Sequence, residues 1–193
     1  MILILDYGSQ YTELIARRIR ELNVYSEVVS NKISIKEIKE KKINGIILSG
    51  GPLSVTDDNA PDINPEIFNL NIPILGICYG MQLIAKHFNG DVKKSNTSEY
   101  GSAILNINST SALFDNIPNE IKIWMSHSDS VTKLPTDFKT IASTKTCEIA
   151  SFENNEKNIF GIQFHPEVSH TDYGNQLIEN YVLTICKSVK DWT

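Results

Sequence analysis

The chain has 193 residues, 18 basic against 23 acidic, a formal net charge of −5 and a hydrophobic fraction of 41%. That length suits one α/β domain, residues 1–193, and is short for two. The acidic balance argues against a nucleic-acid or anionic-membrane partner, which calls for clustered Lys and Arg, and no segment is long and apolar enough to span a bilayer.

Strand and helix signals alternate through the first half. "ILILD" (2–6) is an apolar run of the kind found in buried parallel strands. "YTELIARRIREL" follows, with Leu14, Ile15, Ile19 and Leu22 on one side at helical spacing. "YSEVVS" (25–30) reads as a strand and "ISIKEIKEKK" (33–42) as an amphipathic helix whose Lys and Glu residues form a solvated face. "GIILSGG" (45–51) and "IPILGI" (72–77) are further apolar strands. Strands interleaved with helices predict right-handed crossovers and a flavodoxin-like open, mostly parallel sheet covered on both faces. After about residue 90 come short β-like runs, "GSAILNIN", "IKIWMSH", "FKTIAST", "CEIASFE" and "NIFGIQF", separated by polar turn clusters. They read as antiparallel additions to the same sheet, closed by a helix over about Gly174 to Ile185.

The start, "MILILDYGSQ", lacks the basic region and cleavage site of a signal peptide. Cys78, Cys147 and Cys186 are odd in number and show no paired or metal-ligand spacing. A reducing cytoplasm and no metal site are therefore expected.

"ILGICYGMQ" delivers Cys78 to the carboxyl end of a strand, where α/β sheets build their sites. The Gly-x-Cys-x-Gly frame matches a nucleophile elbow: a strand turns sharply into a helix, and the helix N-terminus favours a thiolate. A small residue packed at a strand end is the competing reading. For Cys147 and Cys186, which have no such frame, packing is the expectation. A thiol nucleophile needs a base, and the base an orienting acceptor. His165 in "FHPEV" follows a strand-like run, with Glu167 at the same-side spacing of extended chain. His127 is the rival base, lacking an acid at that spacing, and His87 belongs to a helix surface.

"GGP" (50–52), "GICYGMQ" (76–82) and "FHPEV" (164–168), in that order, resemble the class I glutamine amidotransferases, and the match runs through nearly the whole chain. Within that family, "ILDYGSQYTELIARRIREL", "SEYG", "WMSHSDSV" and "FHPEVSHTDYGNQLIENYV" are most similar to the GMP synthetase branch. The last residues, "ICKSVKDWT", resemble the junction of that branch with an ATP-pyrophosphatase domain.

The resemblance implies that Cys78 attacks the glutamine amide to give a γ-glutamyl thioester and ammonia. His165 would shuttle protons, oriented by Glu167. Backbone N–H groups of Gly51 and Tyr79 would form the oxyanion hole, although an ordinary "GGP" turn also accounts for Gly51. Gln82 and the segment Ser126, His127, Ser128 and Asp129 would recognise L-glutamine. Ser128 departs from the family's glycine, and a serine there penalises positive φ. His170 and Asp172 would face the partner or the substrate mouth, or else Thr171 or Asp172 caps the last helix. No cofactor is implied in this domain; ATP, Mg²⁺ and xanthosine monophosphate (XMP) would belong to an ATP-pyrophosphatase partner. Two alternatives stay open: the amidotransferase subunit of anthranilate or aminodeoxychorismate synthesis, and a non-catalytic flavodoxin-like nucleotide-binding module. The single glycine of "DYGSQY" speaks against a pyrophosphate turn.

Overall fold

The computed structural model describes residues 1–193, apart from the side chains of residues 95–98. Four short parallel strands come first: β1 (Ile2–Asp6), β2 (Ser26–Ser30), β3 (Gly45–Leu48) and β4 (Ile74–Ile77). Helix α1 (Thr12–Glu21) joins β1 to β2, α2 (Ile35–Lys39) joins β2 to β3, and α3 (Tyr79–His87) follows β4 directly. The second half holds the long strands β5 (Asp91–Ile107) and β6 (Glu120–Lys133), then β7 (Lys139–Ser143), β8 (Ser151–Asn154) and β9 (Ile159–Ile162). Helix α4 (Gly174–Glu179) runs on into a π-helical turn at Asn180–Ile185.

The described residues form one nine-stranded sheet in the order β2-β1-β3-β4-β9-β8-β7-β5-β6. The pairs β1–β2, β1–β3, β3–β4 and β4–β9 are parallel; β8–β9, β7–β8, β5–β7 and β5–β6 are antiparallel. β9 is the joint between the two halves. Its sequence reads like the antiparallel additions, yet it pairs parallel with β4, Gly161 opposite Gly76, and so completes the parallel half. Periodicity shows that a strand is buried but not which neighbour it takes.

Alternation along the strands divides the core between the two faces of the sheet. Ile2 and Ile4 of β1 join Ile15 and Ile19 of α1 and Leu177, Tyr181 and Val182 at the C-terminal helix. Leu3 and Leu5 join Ile35 and Ile38 of α2 and Met81 and Ile84 of α3 on the other face. The amphipathic pattern over 33–42 yields only the five residues of α2, started by a capping box in which Ser34 and Glu37 exchange hydrogen bonds. Among the described residues, no helix is long and apolar enough to cross a membrane.

Candidate active site

The elbow forms because two glycines let three pieces of backbone meet. A Cβ at Gly76 would lie 2.5 Å from the Gly80 carbonyl carbon, and one at Gly80 would lie 2.4 Å from the Leu48 carbonyl oxygen. Neither glycine has a left-handed φ, so close approach is their reason for being glycine. The turn is absorbed by Cys78, at φ 52° and ψ −104°. Among the described residues, six of the nine non-glycine residues with positive φ are Asn or Asp, which tolerate it; Cys78 is one of three exceptions. Such strain costs about 1–3 kcal/mol and persists only where the surroundings impose it. Here they do: the Cys78 N–H donates to the Ile162 carbonyl of β9 at 2.8 Å, and the Gln82 N–H to the Cys78 carbonyl at 3.2 Å.

His165 lies just beyond β9, beside the elbow, because β4 and β9 are neighbours. Its N–H donates to the Trp124 carbonyl of β6 at 3.1 Å, and its carbonyl accepts from Thr171 Oγ1 at 2.6 Å. Thr171 Oγ1 in turn accepts from the Trp124 N–H at 3.0 Å. The imidazole Nδ1 meets Glu167 Oε1 at 2.8 Å, with both side chains buried. The extended-chain reason for that pairing does not hold, since β9 stops at Ile162 and Pro166 and Glu167 form a turn. Arg18 of α1 donates to the Glu167 carbonyl at 3.1 Å, and the ring of Tyr11 packs edge-on to His165 with centroids 5.3 Å apart. Burial by itself lowers the His165 pKa. The Glu167 charge and the neighbouring Cys78 outweigh that, raising it to about 10.

Cys78, His165, Gly51, Tyr79, Gln82, Ser126, His127, Ser128 and Asp129 all line one cavity of about 390 Å³. Glu167 sits behind His165 and does not line it. The Cys78 thiol donates to the Ser126 carbonyl at 3.6 Å. A Cβ at Gly51 would come within 2.9 Å of the Tyr7 carbonyl and 3.2 Å of the Tyr79 ring, so this position calls for glycine through crowding. Ser128 sits inside β6 and is not among the positive-φ residues, so the serine is accommodated in extended backbone. Gln82 turns its amide to the Asp129 carbonyl at 2.8 Å and to Gln163 Oε1 at 3.2 Å.

Both ring nitrogens of His127 are engaged by groups other than Cys78. Its Nδ1 meets the Asp129 carbonyl at 2.9 Å and its Nε2 meets Glu99 Oε2 at 3.1 Å. An acid does hold this histidine, but it comes from β5 rather than from its own strand. His170 is exposed and packs at a tilt against Trp124 with centroids 4.7 Å apart; Asp172 is exposed, its N–H donating to the Lys122 carbonyl at 2.8 Å. Neither Thr171 nor Asp172 caps α4, whose N-cap is Tyr173 with no side-chain cap bond. His87 stacks on Phe68 with centroids 4.4 Å apart.

Sequence reasoning missed the loop Gly8–Tyr11, Tyr100 and Glu99. For the loop a signal existed: the Asp6 carboxylate accepts from the Gly8 N–H at 2.9 Å and from Thr12 Oγ1 at 2.7 Å, an acid-to-cap arrangement legible in "DYGSQYT". For Glu99 none did, because its partner is distant in sequence.

The family model for glutamine amidotransferase class-I matches residues 3–185. The chain is 51% identical over its whole length to a GMP synthase [glutamine-hydrolyzing] from Macrococcus caseolyticus and 54% identical to one from Borrelia garinii. It spans 37% and 36% of the length of those two proteins. A solved structure of a putative GMP synthase subunit from Thermoplasma acidophilum is 33% identical, with a TM-score of 0.82 over 96% of this chain and 93% of that one. A glutamine amidotransferase from Thermotoga maritima, 20% identical, shares the fold with a TM-score of 0.71 over 95% of this chain and 80% of that one. A strained cysteine facing a buried His–Glu pair across one cavity is thus found in a chain that belongs to the class-I glutamine amidotransferase family.

Proposed function

We propose that the chain, acting as a single amidotransferase domain, hydrolyses L-glutamine through Cys78, His165 and Glu167. The ammonia would pass to an ATP-pyrophosphatase domain or subunit that aminates XMP to GMP. The observation that carries this reading is the convergence of the Cys78 elbow and the buried His165–Glu167 pair on one cavity. The likeness to GMP synthases over the full chain supports the choice of pathway.

The Cys78 sulfur attacks the side-chain amide carbon after its proton has passed to His165, whose raised pKa favours the imidazolium beside a thiolate. The tetrahedral oxyanion is met by the N–H groups of Gly51 and Tyr79. His165 returns the proton to the departing nitrogen, ammonia leaves, and a γ-glutamyl thioester remains on Cys78. His165 then deprotonates a water that attacks the thioester, and glutamate leaves as the thiol is reprotonated. Glu167 holds the imidazole in one orientation and stabilises its cation. At the amino-acid end, the Asp129 carboxylate lines the cavity and supplies negative charge for the substrate ammonium, and Gln82 fixes the segment Ser126–Asp129 that carries it. ATP and Mg²⁺ act on the partner, which docks over the face bearing the exposed His170 and Asp172.

The test uses a glutamine-mimicking diazo-ketone followed by peptide mass spectrometry. An adduct on Cys78, lost in Cys78→Ala, is expected; no adduct with the synthetase partner present overturns the reading. Supplying the partner with XMP, ATP and Mg²⁺ should then yield glutamine-dependent GMP, and amination of chorismate instead would overturn the pathway.

A further inference from the structure

We propose that Glu99 is a positioning residue of the glutamine pocket, acting through His127 on the backbone at Asp129; this rests on the glutaminase reading above. The His127 ring lies between two acceptors, the Asp129 carbonyl at 2.9 Å and the Glu99 carboxylate at 3.1 Å. A carbonyl oxygen only accepts, so Nδ1 donates. An ionised carboxylate also only accepts, so Nε2 must carry a proton as well. The pair therefore holds one proton more than a neutral imidazole facing a carboxylate, with both ring nitrogens of His127 protonated. Both side chains are nearly out of water, at 3% and 11% exposure, where a charge-assisted bond is strong and an unpaired member costly.

The third group of this cluster is the Cys147 thiol, whose sulfur lies within 4.8 Å of the ligand atoms of Glu99 and His127. Burial, with the Glu99 charge, pushes that thiol up to about 12, so the proton opposite Glu99 belongs to the His127 pair.

The same Asp129 carbonyl receives the Gln82 amide at 2.8 Å. Gln82 stands one turn beyond Cys78 on α3, so that single oxygen ties the nucleophile's helix to the β5–β6 hairpin. The strand it anchors also carries the Ser126 carbonyl, which accepts from the Cys78 thiol at 3.6 Å, and the unpartnered Asp129 Oδ2. With both ring nitrogens engaged, His127 has no donor left for substrate. Its part is to transmit the position of Glu99 to the wall that meets the amino-acid end of glutamine.

The experiment compares the full chain with Glu99→Ala and Glu99→Gln. In Glu99→Ala the KM for glutamine should rise about 10-fold or more while kcat stays within about threefold, the cost of one unpaired buried group falling on substrate binding. Iodoacetamide, which makes no use of the amino-acid end, should alkylate Cys78 at the unchanged rate. Glu99→Gln keeps a hydrogen bond by donating into a deprotonated Nε2, so most of the affinity should return. Nitrogen-15 spectra should then show one protonated ring nitrogen on His127 where the parent shows two. An unchanged KM in a folded Glu99→Ala, or a parent His127 with one ring proton, overturns the proposal. So does a parallel fall of kcat, alkylation rate and melting temperature, which marks general loosening. A parent chain that neither takes the diazo-ketone label nor releases glutamate, even with the synthetase partner, overturns the glutaminase reading itself. A labelled, active parent with an indifferent Glu99 overturns the positioning role alone.

Discussion

The carboxylate of Glu167 reaches the imidazole of His165 across a turn, at 2.8 Å, and its second oxygen is buried without a hydrogen-bond partner. The pairing is therefore made by one bond in a dry setting, where the carboxylate's charge acts at full strength on the ring. Glu167→Gln should keep the shape and remove that charge. We expect glutaminase turnover to fall about 10²- to 10⁴-fold, with a much smaller change in KM, measured as glutamate release in the presence of the partner. Turnover within about threefold of the parent would remove Glu167 from the mechanism.

The raised pKa of His165 also gives stability a pH dependence of definite sign. A histidine at about 10 in the folded chain and near 6.5 unfolded binds its proton more tightly when folded. Its contribution is complete below about pH 6.5 and is lost as pH rises toward 10. Melting temperature should decline across that window in the parent, and less steeply in Glu167→Gln. Equal slopes in the two proteins would contradict the coupling.

The three cysteines should divide by reactivity. All are free and buried, but only Cys78 lines the cavity. Burial pushes the Cys147 and Cys186 thiols up to about 12, which leaves almost no thiolate at neutral pH. Peptide mapping after brief iodoacetamide treatment of the native chain should find the label on Cys78 alone. Early modification of Cys147 would mean that its surroundings open readily.

The elbow glycines should be intolerant. Gly76→Ala or Gly80→Ala puts a Cβ within 2.5 or 2.4 Å of backbone that cannot move aside without shifting α3 or β3. A loss of about 2–4 kcal/mol is expected in denaturant titration. By contrast Gly101, whose Cβ would meet nothing within 4 Å, sits at φ 114°, so alanine there tests backbone strain alone. A penalty nearer 1 kcal/mol is expected for it.

Thr171 offers a finer probe. Its hydroxyl links the His165 carbonyl to the Trp124 N–H, so Thr171→Val leaves one buried and one half-buried backbone group without this partner. About 1–3 kcal/mol should be lost, with a fall in kcat as His165 moves, and Thr171→Ser should restore both. A valine variant as stable and as active as the parent would show that the link holds nothing in place.

Much of this was legible from residue order alone, and the reasons are local. Apolar runs such as "ILILD" and "GIILSG" announce buried strands, and the Gly-x-Cys-x-Gly frame announces a crowded corner, because each is enforced by neighbours a few residues away. The pairing of Glu167 with His165 is expected for a partly mistaken reason: its distance from His165 in sequence suits a turn as well as a strand. What escaped depends on chain segments far apart. The parallel partner of β9, the Glu99 bond to His127, the Tyr11 ring against His165 and the Thr171 link are set by which strands become neighbours, and side-chain periodicity carries no such information.

The placement of β9 between β4 and β8 has a consequence for how the molecule comes into being. The ribosome releases Cys78 early, yet the strand that brings His165 alongside emerges only after the whole β5–β8 excursion has been made. Until that late segment slots in beside β4, the thiol has no imidazole to relieve it of its proton. On the proposed mechanism, the nascent chain thus carries a sulfhydryl without its base from residue 78 until residue 165 has emerged, and its chemistry awaits the last strand of the sheet.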